Sequence, residues 1–147
     1  MKSREIRVIY GKDIAAMTRR LIEDYDLASK IGDVNAKIAL KPNLVVATTP
    51  DTGATTHVEI ITEVIEYLQE KGFRDISIME GSWVGDDTER AFRVNGYNNI
   101  SKKYGVKLFD LKKDKYDMCH EEPKRNSQRQ IQEIIPPKGP DAPHSSP

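Results

Sequence analysis

The chain has 147 residues, of which 37% are hydrophobic and 31% charged, and its 23 basic and 23 acidic side chains give a formal net charge of zero. That length suits a single domain with a real core, and the balanced charge excludes the basic excess that a dedicated nucleic-acid binder shows. The single cysteine, Cys119, excludes a disulfide within the chain and any metal or iron–sulfur site built from cysteines alone.

The first third of the chain predicts a strand, a helix and a second strand. Ile6 to Tyr10 has the composition of a strand, and Asp13 is placed to cap the helix that follows. Apolar residues recur at helical spacing on one face of that helix as far as Tyr25. Ala36 to Leu40 is the second strand, which ends before Pro42 because proline lacks a backbone donor.

A loop without periodicity, Lys41 to Thr55, separates the second strand from the next helix. Loops of this length are uncommon in compact domains and are typically functional or disordered. The loop leads into Thr56-His57-Val58-Glu59, which has the form of a capping box and predicts a helix start at Thr56. Gly72 predicts the end of this helix, because glycine suits a left-handed terminal residue.

The pattern continues with a third strand, two helices and a fourth strand. Ile76 to Met79 is the third strand, Asp86 to Glu89 predicts a capped helix start, and a short helix covers Asn98 to Tyr104. Val106 to Leu111 is the fourth strand. This alternation predicts an α/β fold, with a mainly parallel sheet of about four strands flanked by helices in Rossmann-like layers.

The composition changes abruptly after Asp117. Six of the eight prolines lie between Pro123 and Pro147, and such a segment buries too little apolar surface to offset its ordering entropy. We therefore predict an α/β domain over residues 4–117 and a disordered or out-of-frame tail over residues 118–147. The first residues lack a signal peptide, and no apolar run nears the roughly 18 residues of a membrane span, so we expect a cytoplasmic protein without a membrane partner.

Polar residues follow the predicted strands at the edge where ligands bind in open α/β sheets. The carboxyl ends of parallel strands point the same way, so these side chains should share one edge. The candidates for ligand binding are Lys41, Asn43, Thr55, Thr56 and Ser82. The candidates for catalytic proton transfer are His57 and Glu80.

This edge has the chemistry of an anion site. The predicted helix start at Thr56 offers free N–H groups and the positive end of a helix dipole, and Lys41 adds a positive charge. A carboxylate or phosphate group would suit these donors. The sequence equally allows Thr56 to be a cap and Lys41 to be solvated, so both readings stay open. A metal site has less support. Its candidate ligands are His57, Glu80 and either Asp86 or Asp87, and they show no tight ligand spacing.

Several short motifs occur together in a specific order and spacing. They are Lys41-Pro42-Asn43-Leu44-Val45, Gly53-Ala54-Thr55-Thr56-His57, Glu80-Gly81-Ser82, Ala91-Phe92 with Gly96-Tyr97, and Tyr104-Gly105-Val106 with Phe109-Asp110-Leu111. Taken together, they resemble the opening of a prokaryotic family known as domain of unknown function 362. The resemblance covers roughly Ile6 to Asp117.

Members of this family are often described as iron–sulfur or ferredoxin-like proteins, and many carry a C-terminal ferredoxin module with the pattern C-x₂-C-x₂-C-x₃-C-P. The resemblance therefore implies a redox-linked setting for full-length relatives. This sequence has none of those cysteines, so we expect no cofactor in the chain itself, and no catalytic role transfers to His57 or Glu80. The family pattern should continue past Asp117, so the change there indicates a frameshifted or shortened protein, and we favour a frameshift.

The sequence supports three functional hypotheses. The first is a ligand-binding part of a redox-associated protein, with an anionic ligand held by Lys41 and the helix start at Thr56. The second is a non-catalytic, truncated fragment that associates with other chains or with copies of itself through an open sheet edge. The third is a divalent-metal-dependent hydrolase with His57 and Glu80 as ligands.

Overall fold

The computed structural model describes residues 6–113. Within that range the chain forms a three-stranded parallel sheet and five α-helices, which confirms the predicted α/β class. The strands are β1 (Ile38–Leu40), β2 (Ile76–Glu80) and β3 (Lys107–Asp110). The helices are α1 (Ile14–Asp24), α2 (Leu27–Ile31), α3 (Val58–Glu70), α4 (Thr88–Val94) and α5 (Tyr97–Tyr104).

The sheet has the order β1-β2-β3, with both neighbouring pairs parallel. At its centre, Ile78 of β2 lies opposite Leu40 of β1 and Leu108 of β3. Helix α3 connects β1 to β2, and α4 with α5 connects β2 to β3. Because such crossovers are right-handed and the strands advance in one direction, these helices cover the same face of the sheet.

The apolar core lies between the helices and this inner face. Ile76 and Ile78 of β2 are buried, whereas the alternating Ser77 and Met79 are only partly buried. The helices contribute the buried side chains Ile61, Ile65, Leu68, Phe92, Tyr97 and Ile100. Alternation of buried and partly exposed residues along β2 is the pattern of a strand with one covered face.

The outer face of the sheet is open as far as the described residues show. It carries Ala39 of β1, Ser77 and Met79 of β2, and Lys107 and Phe109 of β3, which line a shallow groove. Parallel sheets normally have both faces covered by other parts of the structure. The outer face is therefore the unfinished side of this sheet within residues 6–113.

The start of the chain differs from the prediction. The segment Ile6 to Tyr10, expected to be a strand, pairs with no strand in the described part of the chain, so the sheet there has three strands rather than about four. Ile6, Val8 and Tyr10 are all strongly exposed. A segment with strand composition forms a strand only where a neighbouring strand can hydrogen-bond to it. Strand β1 has only three residues to offer for such pairing.

Several helix ends lie where capping residues in the sequence predicted them. The side chains of Asp13 and Asp87 cap α1 and α4, and each carboxylate accepts a hydrogen bond from the backbone N–H three residues later, at 2.9 and 2.6 Å. Helix α3 ends at Glu70, and Gly72 follows two residues later with a φ of 96° in the left-handed region. The N–H of Phe73 then donates to the carbonyl of Leu68 at 3.0 Å, which completes a Schellman motif.

No helix among residues 6–113 combines the length and apolar character needed to cross a membrane. The predicted tail over residues 118–147, with Cys119, and the predicted domain boundary at Asp117 lie outside the described residues. Those predictions therefore stay predictions.

Candidate functional site

The loop that follows β1 is closed at its base by hydrogen bonds. Leu44 and Thr55 form an antiparallel bridge, and Leu44 is fully buried. The N–H of Asn43 donates to the Thr56 hydroxyl oxygen at 2.9 Å, and the N–H of Thr56 donates to the Asn43 carbonyl at 2.9 Å. This reciprocal pair, the Asn43–Thr56 clasp, brings the start of α3 back beside the end of β1.

The clasp changes how α3 begins. The predicted capping box at Thr56 was wrong: the helix begins at Val58, its N-cap residue is His57, and no side chain bonds to the helix from that position. The Thr56 hydroxyl is engaged by Asn43 instead. The N–H groups of Val58 and Glu59 consequently donate to no acceptor among the described residues, and they form the positive end of the helix dipole.

Lys41 and Glu80 form an ion pair where β1 and β2 end. The Lys41 Nζ atom lies 3.0 and 3.2 Å from the two carboxylate oxygens of Glu80. The Glu80 side chain is 4% exposed, whereas that of Lys41 is 63% exposed. The N–H of Gly81 also donates to this carboxylate, at 2.9 Å. A buried anion thus holds a largely exposed ammonium group at the carboxyl edge of the sheet.

Ser82 and Thr55, two predicted ligand-binding residues, are buried in the scaffold of this edge. The N–H of Ser82 donates to the hydroxyl of Thr88 at 3.2 Å, and the two hydroxyl oxygens lie 3.1 Å apart. The Thr55 hydroxyl lies 3.3 Å from the Thr48 carbonyl and 3.4 Å from the Asn95 side-chain oxygen. In this structure both side chains stabilise the loops through these hydrogen bonds. Ligand contact by either side chain stays a prediction.

His57 is the N-cap residue of α3. Its Nδ1 atom is 3.9 Å from Glu59, and its side chain is 39% exposed. Among residues 6–113, no three side chains of His, Cys, Asp or Glu are grouped so that they could hold a metal ion. His57 and Glu80 therefore do not form the ligand cluster that the hydrolase hypothesis needs.

A second set of bonds, which sequence reasoning missed, joins the loops after β1 and β2. The Asp86 carboxylate accepts from the N–H of Ala47 at 2.7 Å and from that of Asp87 at 2.8 Å. Both hydrogen bonds lower the pKa of the Asp86 carboxyl group, and the bond from Ala47 has the larger effect. The N–H of Trp83 donates to the Val45 carbonyl at 2.9 Å. The two loops are thus held together at the edge of the sheet.

Tyr97 belongs to the Gly96-Tyr97 motif, and no sequence pattern marks its hydroxyl group. The side chain is fully buried, and its hydroxyl has no hydrogen-bond partner among the described residues. Burial raises the pKa of the phenol, and the nearby charges of Glu59 and Glu80 raise it further.

A family model described as a domain of unknown function, DUF362, matches residues 38–135. The chain belongs to the DUF362 family. The family inferred from the sequence motifs is thereby confirmed, although the match covers residues 38–135 and not the predicted Ile6 to Asp117. The DUF362 match begins at β1, includes Lys41 and Glu80, and continues beyond Asp117. Searches of curated proteins and of solved structures found no match.

All of the edge residues described above fall inside the DUF362 region, whereas α1 and α2 precede it. The Lys41–Glu80 pair, the Asn43–Thr56 clasp and Tyr97 thus lie within the part of the chain that the family model matches. Helix α1 packs beside α3 from outside that region, and its Arg19 pairs with Glu63 and Glu70 at 3.0 and 2.7 Å. The family match therefore separates the site from the preceding helical segment.

Replacing Lys41 with alanine should lower the free energy of unfolding by about 1–3 kcal/mol, because the buried Glu80 carboxylate would lose its cationic partner. Urea unfolding measures this change. The matched control is Lys107→Ala, since Lys107 is exposed on the outer face of the sheet. Equal stability of the two variants would contradict an energetic role for the ion pair.

Proposed function

We propose that this DUF362 chain binds a small anionic ligand, with a carboxylate or phosphate group, at the carboxyl edge of β1 and β2. The observation that carries the proposal is the Lys41–Glu80 pair, in which a buried carboxylate holds an exposed ammonium group at 3.0 Å. The edge outside the carboxyl ends of parallel strands is the usual ligand position in open α/β sheets.

Glu80 positions Lys41 rather than withdrawing it from solvent. An ammonium group has three N–H donors, and those that do not point at Glu80 remain available on the exposed side. Protein kinases use the same chemistry on an unrelated fold, where a glutamate holds a lysine against nucleotide phosphates. A lysine that is already held loses less side-chain entropy when it binds an anion.

The start of α3 supplies a second source of positive potential. The Asn43–Thr56 clasp keeps this helix end beside the end of β1, and the first N–H groups of α3 lack acceptors within residues 6–113. Such groups attract carboxylates and phosphates. Lys41 balances the charge of Glu80, and the acidic Glu59 in the first turn of α3 is 52% exposed, so solvent screens its charge.

We place this site in a redox-associated protein, because the chain resembles relatives described as iron–sulfur or ferredoxin-like. Cys119 is the single cysteine and cannot hold a cluster by itself, so the redox centre would belong to another polypeptide or segment. Of the two candidates for proton transfer, Glu80 is engaged by Lys41, and the more accessible His57 is the better candidate.

The ligand proposal predicts a specific loss of affinity. Calorimetric titration with inorganic phosphate and with succinate should show saturable binding to the full chain. Lys41→Ala should weaken it by about 10- to 100-fold, the effect of losing a hydrogen bond to a charged group. Lys107→Ala, on the opposite face, should bind as the unmodified chain does. Unchanged affinity in Lys41→Ala would remove Lys41 from the site, and no binding of either anion would contradict the proposal.

A second candidate function is association with other protein chains, and the open outer face of the sheet favours it. Met79 and Phe109 lie side by side on that face, and Phe109 is 44% exposed. Exposed apolar surface on an uncovered parallel sheet is a typical interaction surface. Within residues 6–113 the outer edges of β1 and β3 pair with no further strand, and they offer backbone hydrogen-bonding groups to a partner.

Association through this face predicts concentration-dependent assembly of the full chain in size-exclusion chromatography with light scattering. Phe109→Glu should abolish the assembly, because a buried carboxylate without a partner would be strongly unfavourable in the interface. The control is Val84→Glu, since Val84 is 92% exposed on a loop. A monomer at every concentration, or equal assembly of both variants, would rule out this face as a self-association surface.

A further inference from the structure

The loop that follows β2 exposes apolar side chains at the carboxyl edge of the sheet. Trp83 is 65% exposed and Val84 is 92% exposed. Val45, in the loop after β1, is 36% exposed, and its carbonyl accepts from the N–H of Trp83 at 2.9 Å, so the two loops adjoin. Single exposed apolar side chains are common on protein surfaces, whereas a group of them that includes a tryptophan is typical of a binding surface.

Contacts within the edge fix the position of Trp83. Its carbonyl accepts from the N–H of Asp86 at 2.9 Å and from the Nζ atom of Lys112 at 3.3 Å. The six-membered part of the indole lies against Gly85, where a Cβ atom would come within 3.1 Å of Cζ3 and 3.3 Å of Cε3 of the ring. The indole therefore rests on a residue without a side chain, while most of the surface of Trp83 stays open to solvent.

A continuous series of contacts connects Trp83 with the proposed anion site. Lys41 bonds to the Glu80 carboxylate at 3.0 Å, and the N–H of Gly81 bonds to the same carboxylate at 2.9 Å. Trp83 follows Glu80 by three residues, a length of chain that spans at most about 11 Å. The side chain of Lys112, which bonds to Trp83, also passes Gly81, with its Cγ atom 3.4 Å from the point that a Cβ at that position would occupy. Trp83 and Lys41 thus belong to one edge.

We propose that the anionic ligand also carries a planar aromatic ring, which stacks on Trp83 while the phosphate or carboxylate group binds Lys41. This inference rests on the proposed function, and it narrows the ligand class to aromatic phosphates and carboxylates. Burial of apolar area and dispersion both favour the contact of an aromatic ring with an indole. Lys41 by itself attracts any anion, so Trp83 is the residue that selects the anions with a ring.

The acidic side chains in the loop after β2 are engaged within the protein. Asp86 accepts from the N–H of Ala47 at 2.7 Å and lies 3.5 Å from the Nη1 atom of Arg90. Asp87 accepts from the N–H of Arg90 at 2.6 Å as the cap of α4. An anion that approaches Trp83 therefore meets no unpaired carboxylate in this loop.

The first test compares ligands that share a phosphate group in calorimetric titrations of the full chain. The tighter of phenyl phosphate and 2-phenylethyl phosphate should bind about 5- to 10-fold more tightly than inorganic phosphate. Trp83→Leu, which keeps apolar bulk without a planar ring, should lose this preference and keep its affinity for inorganic phosphate, whereas Trp83→Phe should retain most of the preference. The control is Tyr10→Ala, which removes a 92% exposed aromatic side chain before α1 and should change neither affinity.

A second measurement needs no substitution, because Trp83 is the single tryptophan of the chain and its fluorescence reports on this position alone. Binding of 4-nitrophenyl phosphate should quench the emission saturably. An excess of inorganic phosphate should reverse the quenching, because both ligands need Lys41.

The outcomes separate this inference from the proposed function. If inorganic phosphate binds but the aromatic phosphates bind no more tightly, the inference is overturned and the anion site stands. A preference that survives in Trp83→Leu, or quenching that inorganic phosphate does not reverse, would also overturn it. An unmodified chain that binds none of these phosphates would overturn both proposals.

Discussion

Glu80 is a carboxylate buried at the end of the central strand, and its need for partners organises the carboxyl edge of the sheet. A charged group that is removed from water is tolerated only when it is paired and hydrogen-bonded. Lys41 supplies the charge from the end of β1, and the N–H of Gly81 supplies a further bond. The Glu80 carbonyl also accepts from the N–H of Leu111 at 2.9 Å, so one residue links the ends of all three strands.

The loops at this edge of the sheet are joined to one another by hydrogen bonds. The Asn43–Thr56 clasp closes the loop after β1, and Asp86 and Trp83 join that loop to the one after β2. Most of the polar side chains at the edge are used for these bonds. The polar groups that remain for a ligand are the exposed ammonium of Lys41 and the uncapped start of α3. The polar groups that stabilise the edge are therefore different from those that we propose to bind the ligand.

Sequence patterns predicted the parts of the fold that depend on local interactions. The capping aspartates Asp13 and Asp87 and the terminal Gly72 act within a few residues of themselves, so their roles could be predicted. Thr56 could not be placed correctly, because its partner Asn43 lies 13 residues away and competes with the local capping box. The run that starts at Ile6 has strand composition, but no ladder in the described chain accepts it.

The same distinction applies to the candidate site. Lys41 and Glu80 were both identified, because polar residues after parallel strands converge on one edge. Their pairing was not predicted, since it depends on the register between β1 and β2 across 39 residues of sequence. The unpaired state of the Tyr97 hydroxyl is a property of the packed core, and no sequence pattern reports it.

The most direct test of this account is an NMR titration of the full chain with inorganic phosphate, following the Lys41 side-chain resonances and the amides of Val58 and Glu59. The account predicts saturable shifts that are centred on these three residues. Shifts confined to other basic residues, such as Lys112 and Lys113, or no saturable shift at all, would contradict an anion site at the Lys41–Glu80 edge.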